Sequence, residues 1–368
     1  MATSVRNFNA GPAALPKSVL EQVQHDLLDF GGSGMSILEM SHRSAAYEAV
    51  HHQAIADLRT LLNCPEDYAI LFMGGGAQTQ FALVAMNLLR SGTHADYLVT
   101  GQWSESALRE AQKIGDARAV WSGATSQYSR LPLPHDYEID PAASYCHYTS
   151  NNTIVGTQFS LVPESGEVPL VCDMSSDILS QPLDVTPFGL IYAGAQKNAG
   201  PAGVTLVIIR RDLLERSPAS LPSTLSYAEM SAKDSLLNTP PVFAIYVVGL
   251  VARYLIDQGG LAAVAERNAE KATRLYAALD ASDGFYQGCA HVHSRSLMNA
   301  TFRLPTRELE AQFVSESEAA GFVGLKGHRS VGGIRVSLYN AITIESVQAL
   351  IGFMETFQQR WHEAGSVG

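Results

Sequence analysis

The chain of 368 residues reads as an α/β protein: a mostly parallel sheet covered by helices on both faces, then a smaller C-terminal α/β domain. Three observations predict this. Short apolar runs and helical periodicities alternate between residues 69 and 209. Runs such as Ala69-Ile70-Leu71-Phe72-Met73 and Leu190-Ile191-Tyr192-Ala193 are continuously hydrophobic, which marks strands buried on both faces. Gly259-Gly260 then separates this stretch from a second, shorter series of helices and strands.

Each element follows from local signals. Leu15-Pro16-Lys17-Ser18 opens an amphipathic helix to about residue 30, and Gly31-Gly32-Ser33-Gly34 breaks it. A second helix covers residues 45–62 and stops before Pro65. Residues 69–73 form a strand, 79–89 a helix, 96–100 a strand and 104–114 a helix. Four strands follow, at 144–148, 168–173, 190–193 and 204–209. Pro240-Pro241 opens a long apolar helix to about Asp257. Proline suits a first turn because its missing N–H has no intrahelical partner there. A boundary at Gly259 gives residues 1–258 as N-terminal segment and large domain and 259–368 as the small domain. The small domain reads as a helix at 261–279, a strand at 296–302, a helix at 306–320, a strand at 334–338 and a helix at 344–361.

Composition bounds the function. Hydrophobic residues make up 46% and charged residues 17%, and the mean hydropathy is +0.03, as expected of a globular chain with a sizeable core. The net charge of −11 argues against nucleic-acid and membrane partners. It leaves small anionic substrates open, because local cations in a dry cleft outweigh a screened surface charge. The most apolar stretch, residues 242–252, is too short to span a bilayer. No signal peptide is evident. Cys64, Cys146, Cys172 and Cys289 form no C-x-x-C, so neither a zinc site nor a redox dithiol is suggested, and a cytoplasmic setting is expected.

The chemistry-bearing residues gather at strand ends. Asp173 closes one apolar run and Lys197 follows another. A lysine amine forms a Schiff base with the aldehyde of pyridoxal phosphate, and a carboxylate keeps that cofactor's pyridine nitrogen protonated. Lys197 alone reads as a strand-end lysine reaching solvent, and Asp173 alone as a turn residue before Ser175-Ser176; the pair favours function. Gly74-Gly75-Gly76-Ala77-Gln78-Thr79 follows a strand and opens a helix, so its N–H groups suit a phosphate monoester. Trp103, just past a strand, could stack on a pyridine face, and Thr153 could donate to a phenolic oxygen. Each of these also reads plainly, as a turn, a rim tryptophan and a polar loop. Cations complete the set. His42-Arg43 lies between the first two helices, His328-Arg329 in a glycine-rich loop, and Arg335 on a strand whose alternation sets Ile334, Val336 and Leu338 on the opposite face. Two His-Arg dipeptides suit a doubly charged group such as a phosphate, and a lone arginine suits a carboxylate.

Phe8-Asn9-Ala10-Gly11-Pro12, Ser41-His42-Arg43, Gly74-Gly75-Gly76, Gly101-Gln102-Trp103, Ala195-Gln196-Lys197-Asn198, Asn238-Thr239-Pro240-Pro241, Gly327-His328-Arg329 and the run from Gly332 to Asn340 occur in this order. The set resembles the phosphoserine aminotransferases, pyridoxal-phosphate enzymes of fold type I and class V. The resemblance implies a large domain with a mostly parallel seven-stranded sheet and a homodimer with shared active sites. It implies Lys197 as the Schiff-base lysine and Asp173 as the partner of the pyridine nitrogen. Trp103 would stack on the ring and Thr153 would contact its phenolic oxygen. Gly76, Ala77 and Gln196 would hold the cofactor phosphate, with Asn238 and Thr239 reaching it from the second subunit. Arg335 would take the substrate α-carboxylate. His42, Arg43, His328 and Arg329 would take the substrate phosphate or the side-chain carboxylate of glutamate. The implied substrates are phosphoserine, glutamate and 2-oxoglutarate, with 4-phosphohydroxy-L-threonine of vitamin B6 synthesis as a further one. The alternatives are another class-V enzyme, of alanine–glyoxylate or desulfurase type, or a non-catalytic α/β protein that binds a phosphorylated metabolite. A nicotinamide dehydrogenase lacks its glycine fingerprint here.

Overall fold

The computed structural model describes residues 5–365. Its centre is a seven-stranded sheet. In spatial order the strands are Tyr68–Gly74, Val204–Arg210, Phe188–Gly194, Leu170–Asp173, Cys146–Thr149, Ala95–Val99 and Ala117–Ser122. Val204–Arg210 runs antiparallel to both its neighbours, and the other adjacent pairs are parallel.

Strand alternation feeds two apolar layers. Tyr68, Ile70 and Phe72 face one, while Ala69, Leu71 and Met73 face the other. Helices Ala45–Leu61 and Val242–Asp257 cover the first layer, and Ala77–Leu88 and Gln102–Gln112 cover the second. Double coverage explains why these strands are legible as unbroken hydrophobic runs. Ala117–Ser122 is absent from the sequence reading for the complementary reason. It is the outer strand, Arg118 and Ala119 are exposed, and no apolar run forms.

The smaller unit holds a three-stranded antiparallel sheet of Gln287–Gly288, Asn299–Arg303 and Ile334–Ser337. Helices Gly260–Asp280, Arg307–Ala319 and Ile344–Gly365 back it around a core that includes Phe302, Phe313, Val336 and Leu350. Thr306 caps the second of these helices by accepting from Leu309 N–H. The chain's first strand departs from a division at residue 258. Arg6–Asn7 pairs in parallel with Phe322–Val323, and Phe8 is fully buried in the small unit's core. Two residues are too few for a periodicity to show. Among the described residues no single helix is long and apolar enough to cross a membrane. The apolar Val242–Asp257 instead buries Ile245, Val248 and Ala252 in the large-unit core.

Phe8 thus fastens the N-terminal segment to the distal unit. Phe8→Ala is expected to lower stability by about 3–5 kcal/mol, as for a large aromatic deleted from a packed core. A urea midpoint left unchanged by Phe8→Ala would show that the segment is not docked there.

Candidate active site

Gly74, Val99, Thr149, Asp173 and Gly194 end their strands along one edge of the sheet. In open α/β sheets this carboxyl edge is where ligands bind. Asp173 registers against Tyr192 on the neighbouring strand, and that strand leads through Gly194 into the turn that carries Gln196 and Lys197. Local strand order therefore delivers the carboxylate and the amine to the same place.

Their charges are set by burial. Asp173 Oδ1 accepts from Ser175 N–H at 3.0 Å and from Ser175 Oγ at 2.6 Å. Its Oδ2 has no hydrogen bond among the described residues. Burial pushes the Asp173 carboxyl up, opposed by Lys197 and by the two Ser175 donors. Burial pushes the Lys197 amine down; Asp173 opposes this and the Arg335 guanidinium adds to it. A desolvated amine beside another cation is poised to be a nucleophile.

Trp103 lies in the first turn of the Gln102–Gln112 helix, which starts two residues before the sequence signals place it. Ser104 Oγ fixes this start by accepting from Thr100 N–H and Gly101 N–H at 2.9 and 3.0 Å. The indole is half-buried rather than exposed, and its Nε1 donates to Thr153 Oγ1 at 3.2 Å. Lys197 Nζ stands 5.9 Å from the indole centroid. Thr153 does not lie in an ordinary polar loop. Asn151–Asn152 and Thr157–Gln158 form a buried antiparallel pair, and Thr153 begins the turn between them. Asn152 Nδ2 donates to Thr100 and Thr157, and its Oδ1 faces Gly101, where any Cβ would collide with it. Gly101 is thus required by close approach, not by φ.

The phosphate-type cradle forms at the end of three adjoining strands. Val204 registers with Gly74, and Ala195 N–H donates to the Val204 carbonyl. Gly75, at φ +94°, turns the chain so that Gly76 caps the Ala77–Leu88 helix without a side chain. The first N–H groups of that helix are left for a ligand.

Arg335 enters from the small unit. Its Nη1 donates to the Thr153 carbonyl at 3.2 Å, and its Nε is buried without a partner. His328 contacts the Trp103 ring edge, with centroids 6.4 Å apart, and hydrogen-bonds Ser330 Oγ at 2.7 Å. Burial pushes His328 down, and Arg335 and Arg329 add to that. The structure therefore brings together Lys197, Asp173, Trp103, Thr153, Arg335 and His328. Arg329 acts on this cluster through the charge it sets beside His328, and His42, Arg43, Asn238 and Thr239 make no hydrogen bond or ring contact to it among the described residues. Arg43, Arg329, Asn238 and Thr239 are exposed, and His42 Nε2 is buried without a partner. A cleft of about 750 Å³ opens beside Trp103, lined by Gln102, Asn152, Arg303 and Ser330. Ser175, Asn152 and Gln102 are site-building residues that the sequence reading did not single out. Only the clustering of Ser and Asn next to strand ends could have flagged them.

A half-buried amine, a carboxylate with one free oxygen, an uncapped helix start and a guanidinium with one unpartnered N–H match the needs of pyridoxal phosphate and of a substrate carboxylate. Residues 5–350 match the aminotransferase class-V family, and the chain belongs to it. Pyridoxal phosphate is the cofactor of this class. Within the class the chain belongs with the phosphoserine aminotransferases. It is 55% identical to that of Geobacillus kaustophilus over 96% of this chain and 98% of the relative. It superposes on the solved phosphoserine aminotransferase of Bacillus circulans subsp. alkalophilus with a TM-score of 0.96 at 53% identity, covering 98% and 99% of the two chains. The PLP-bound phosphoserine aminotransferase of Trichomonas vaginalis gives a TM-score of 0.91 at 36% identity, over 95% and 99%.

Arg335 is partly desolvated and its Nε has no partner among the described residues, so the side chain costs stability. Arg335→Met is expected to leave the melting temperature unchanged or higher. It should raise KM for glutamate and phosphoserine alike by about 10- to 150-fold, the equivalent of one charge-assisted contact worth about 1.5–3 kcal/mol.

Proposed function

We infer that Lys197 and the groups around it carry out phosphoserine transamination, interconverting O-phospho-L-serine and 2-oxoglutarate with 3-phosphohydroxypyruvate and L-glutamate in serine biosynthesis. The observation that carries this reading is the desolvated Lys197 amine, which stands 5.9 Å from the Trp103 indole centroid and feels both the Asp173 carboxylate and the Arg335 guanidinium. When bound, pyridoxal phosphate supplies an aldehyde that condenses with amines and a ring that takes up an electron pair.

The protein's own groups divide the remaining work. Asp173 would hold the cofactor's ring nitrogen in its protonated form. Gly76, Ala77 and Gln196 would hold the cofactor phosphate through the helix start and the turn before Lys197. Trp103 covers one ring face, and the Trp103–Thr153 hydrogen bond fixes both residues. Arg335 orients the substrate by its α-carboxylate. Lys197 Nζ would take up the proton from the substrate Cα. His42, Arg43, His328 and Arg329 hold the phosphate of one substrate and the distal carboxylate of the other. Histidine suits this exchange because it takes up a proton when the dianion arrives and releases it when the monoanion follows. The same anchors fit 4-phosphohydroxy-L-threonine, which shares the phosphate and the α-carboxylate.

The active unit on this reading is a homodimer. Support comes from the exposed Asn238 and Thr239, and from apolar side chains exposed near the N-terminal helix, among them Leu20, Leu28, Met35 and Leu38. Asn238 and Thr239 of each subunit then reach the other's cofactor phosphate. Small molecules are the substrates, and a cytoplasmic setting accords with four thiols that stand apart.

Lys197→Ala is expected to abolish turnover with the fold intact by circular dichroism; an undiminished rate refutes the assignment. Asn238→Asp should also inactivate, by setting a carboxylate against the phosphate. Mixed dimers of the two inactive variants should regain activity, since one of their two sites then has both native groups. Mixed dimers as inactive as their parents would place Asn238 in its own subunit's site. Arg43→Ala or Arg329→Ala should weaken phosphoserine more than glutamate, by about 1.5–3 kcal/mol for a lost charge-assisted partner. Equal losses would move the phosphate elsewhere.

A further inference from the structure

A second acid lies close to Asp173, and the chemistry above leaves it unused. Asp177 is buried in the turn after the Leu170–Asp173 strand. Its Oδ1 is 2.5 Å from Ser150 Oγ, and its Oδ2 accepts from Gln158 Nε2 at 3.1 Å. The titratable groups that bear on it are Asp173, Lys197, Tyr148, Cys172 and Tyr339, and Lys197 is the one cation among them.

Hydrogen bonding separates the two acids. Asp173 receives two donors from Ser175 on a single oxygen, which favours its anion. Asp177 receives one unambiguous donor, from Gln158. The Ser150 hydroxyl has a single proton and two oxygens in reach, the Asp173 carbonyl at 3.2 Å and Asp177 Oδ1. When that proton goes to the carbonyl, the contact to Asp177 needs a proton of its own, which a neutral carboxyl supplies. Charge balance favours the same arrangement. Two buried carboxylates beside one amine would oppose entry of anionic substrates, and like charges in one site push one of the pair to its neutral form.

We propose that Asp177 is a positioning residue that works as a neutral carboxylic acid, donating its proton to Ser150 and leaving Asp173 as the single anion available to the cofactor's ring nitrogen. This rests on the reading of Asp173 given above. Burial pushes the Asp177 carboxyl up to about 7, with Ser150, Gln158 and Lys197 opposing the rise and Asp173 adding to it. The ordinary value is 3.8, so folding takes up a proton between about pH 4 and 7. The folded state then binds more protons than the unfolded one, and stability falls as pH rises through that window. D177N reproduces the neutral acid: its amide N–H₂ donates to Ser150 and its carbonyl accepts from Gln158.

The test compares wild-type, D177N, D177A and D173N holoenzymes. The melting temperature of D177N minus that of wild type should widen from pH 4 to 7 and stay constant above. Infrared spectra at pH 6 should show a protonated-carboxyl band in wild type that D177N lacks. Transamination should persist in D177N and drop in D177A, which cannot donate to Ser150. A melting difference that does not change with pH, or a wild-type spectrum without the carboxyl band, overturns the proposal. Failure of the Asp173 reading shows separately, as a D173N enzyme that transaminates at an undiminished rate.

Discussion

Desolvation of a small set of charges governs this site. Lys197, Asp173 and Arg335 are each pushed toward their neutral forms by burial, and none of them has a full set of partners among the described residues. In a low-dielectric environment such groups interact strongly with whatever ligand completes them. The scaffold must therefore hold them apart from each other and away from water until a ligand arrives. Groups free to move would collapse into an internal ion pair and lose both reactivity and affinity.

Rigid elements supply that restraint. Asp173 ends a parallel strand buried on both faces, and Lys197 follows the next strand. Arg335 belongs to a different unit, so its placement depends on how the two units are joined. The joint is polar and buried. Asn151 bonds Ser176 on its own side and Asn299 and Ser296 on the other. Asn340, a few residues beyond Arg335, accepts from Asn268, donates to the Leu179 carbonyl, and is reached by Asn198 next to Lys197. Buried Lys271 donates to the carbonyls of Leu338 and Tyr339 and steadies the same segment. Directional bonds of this kind fix a geometry that apolar contact alone would leave free to slide.

The sequence shows the strand ends because their strands are buried on both faces and read as unbroken apolar runs. Lys197 and Asp173 stand out for that reason, and so does the uncapped glycine turn before Ala77. Other parts depend on contacts distant in sequence. Asn151 and Asn152 have the composition of a turn, yet they pair with Thr157–Gln158 and bury their side chains, because Ser176, Thr100 and Asn299 accept from their Nδ2 groups. The outer strand Ala117–Ser122 has too little burial to leave a pattern. Trp103 looks like a residue past a strand because Ser104, one position later, is what starts its helix. Arg43, Asn238 and Thr239 carry a motif-level signal with no matching contact to the site among the described residues.

The charge distribution links the site to the whole molecule. A protein of net charge −11 handles doubly charged anions only if its cleft is locally positive. Arg335 and Arg329 provide this on the small-unit side, and burial together with these two cations keeps His328 low in proton affinity. Each carboxylate ionised among them would cancel one of these charges. On the reading proposed above Asp173 serves the ring nitrogen, so its charge would be compensated when the cofactor binds. An ionised Asp177 would have no such counterpart and would subtract from the field that draws substrate in. The closeness of two acids to one lysine is tolerable only while a single one of them is charged, and the donors from Ser175 decide which.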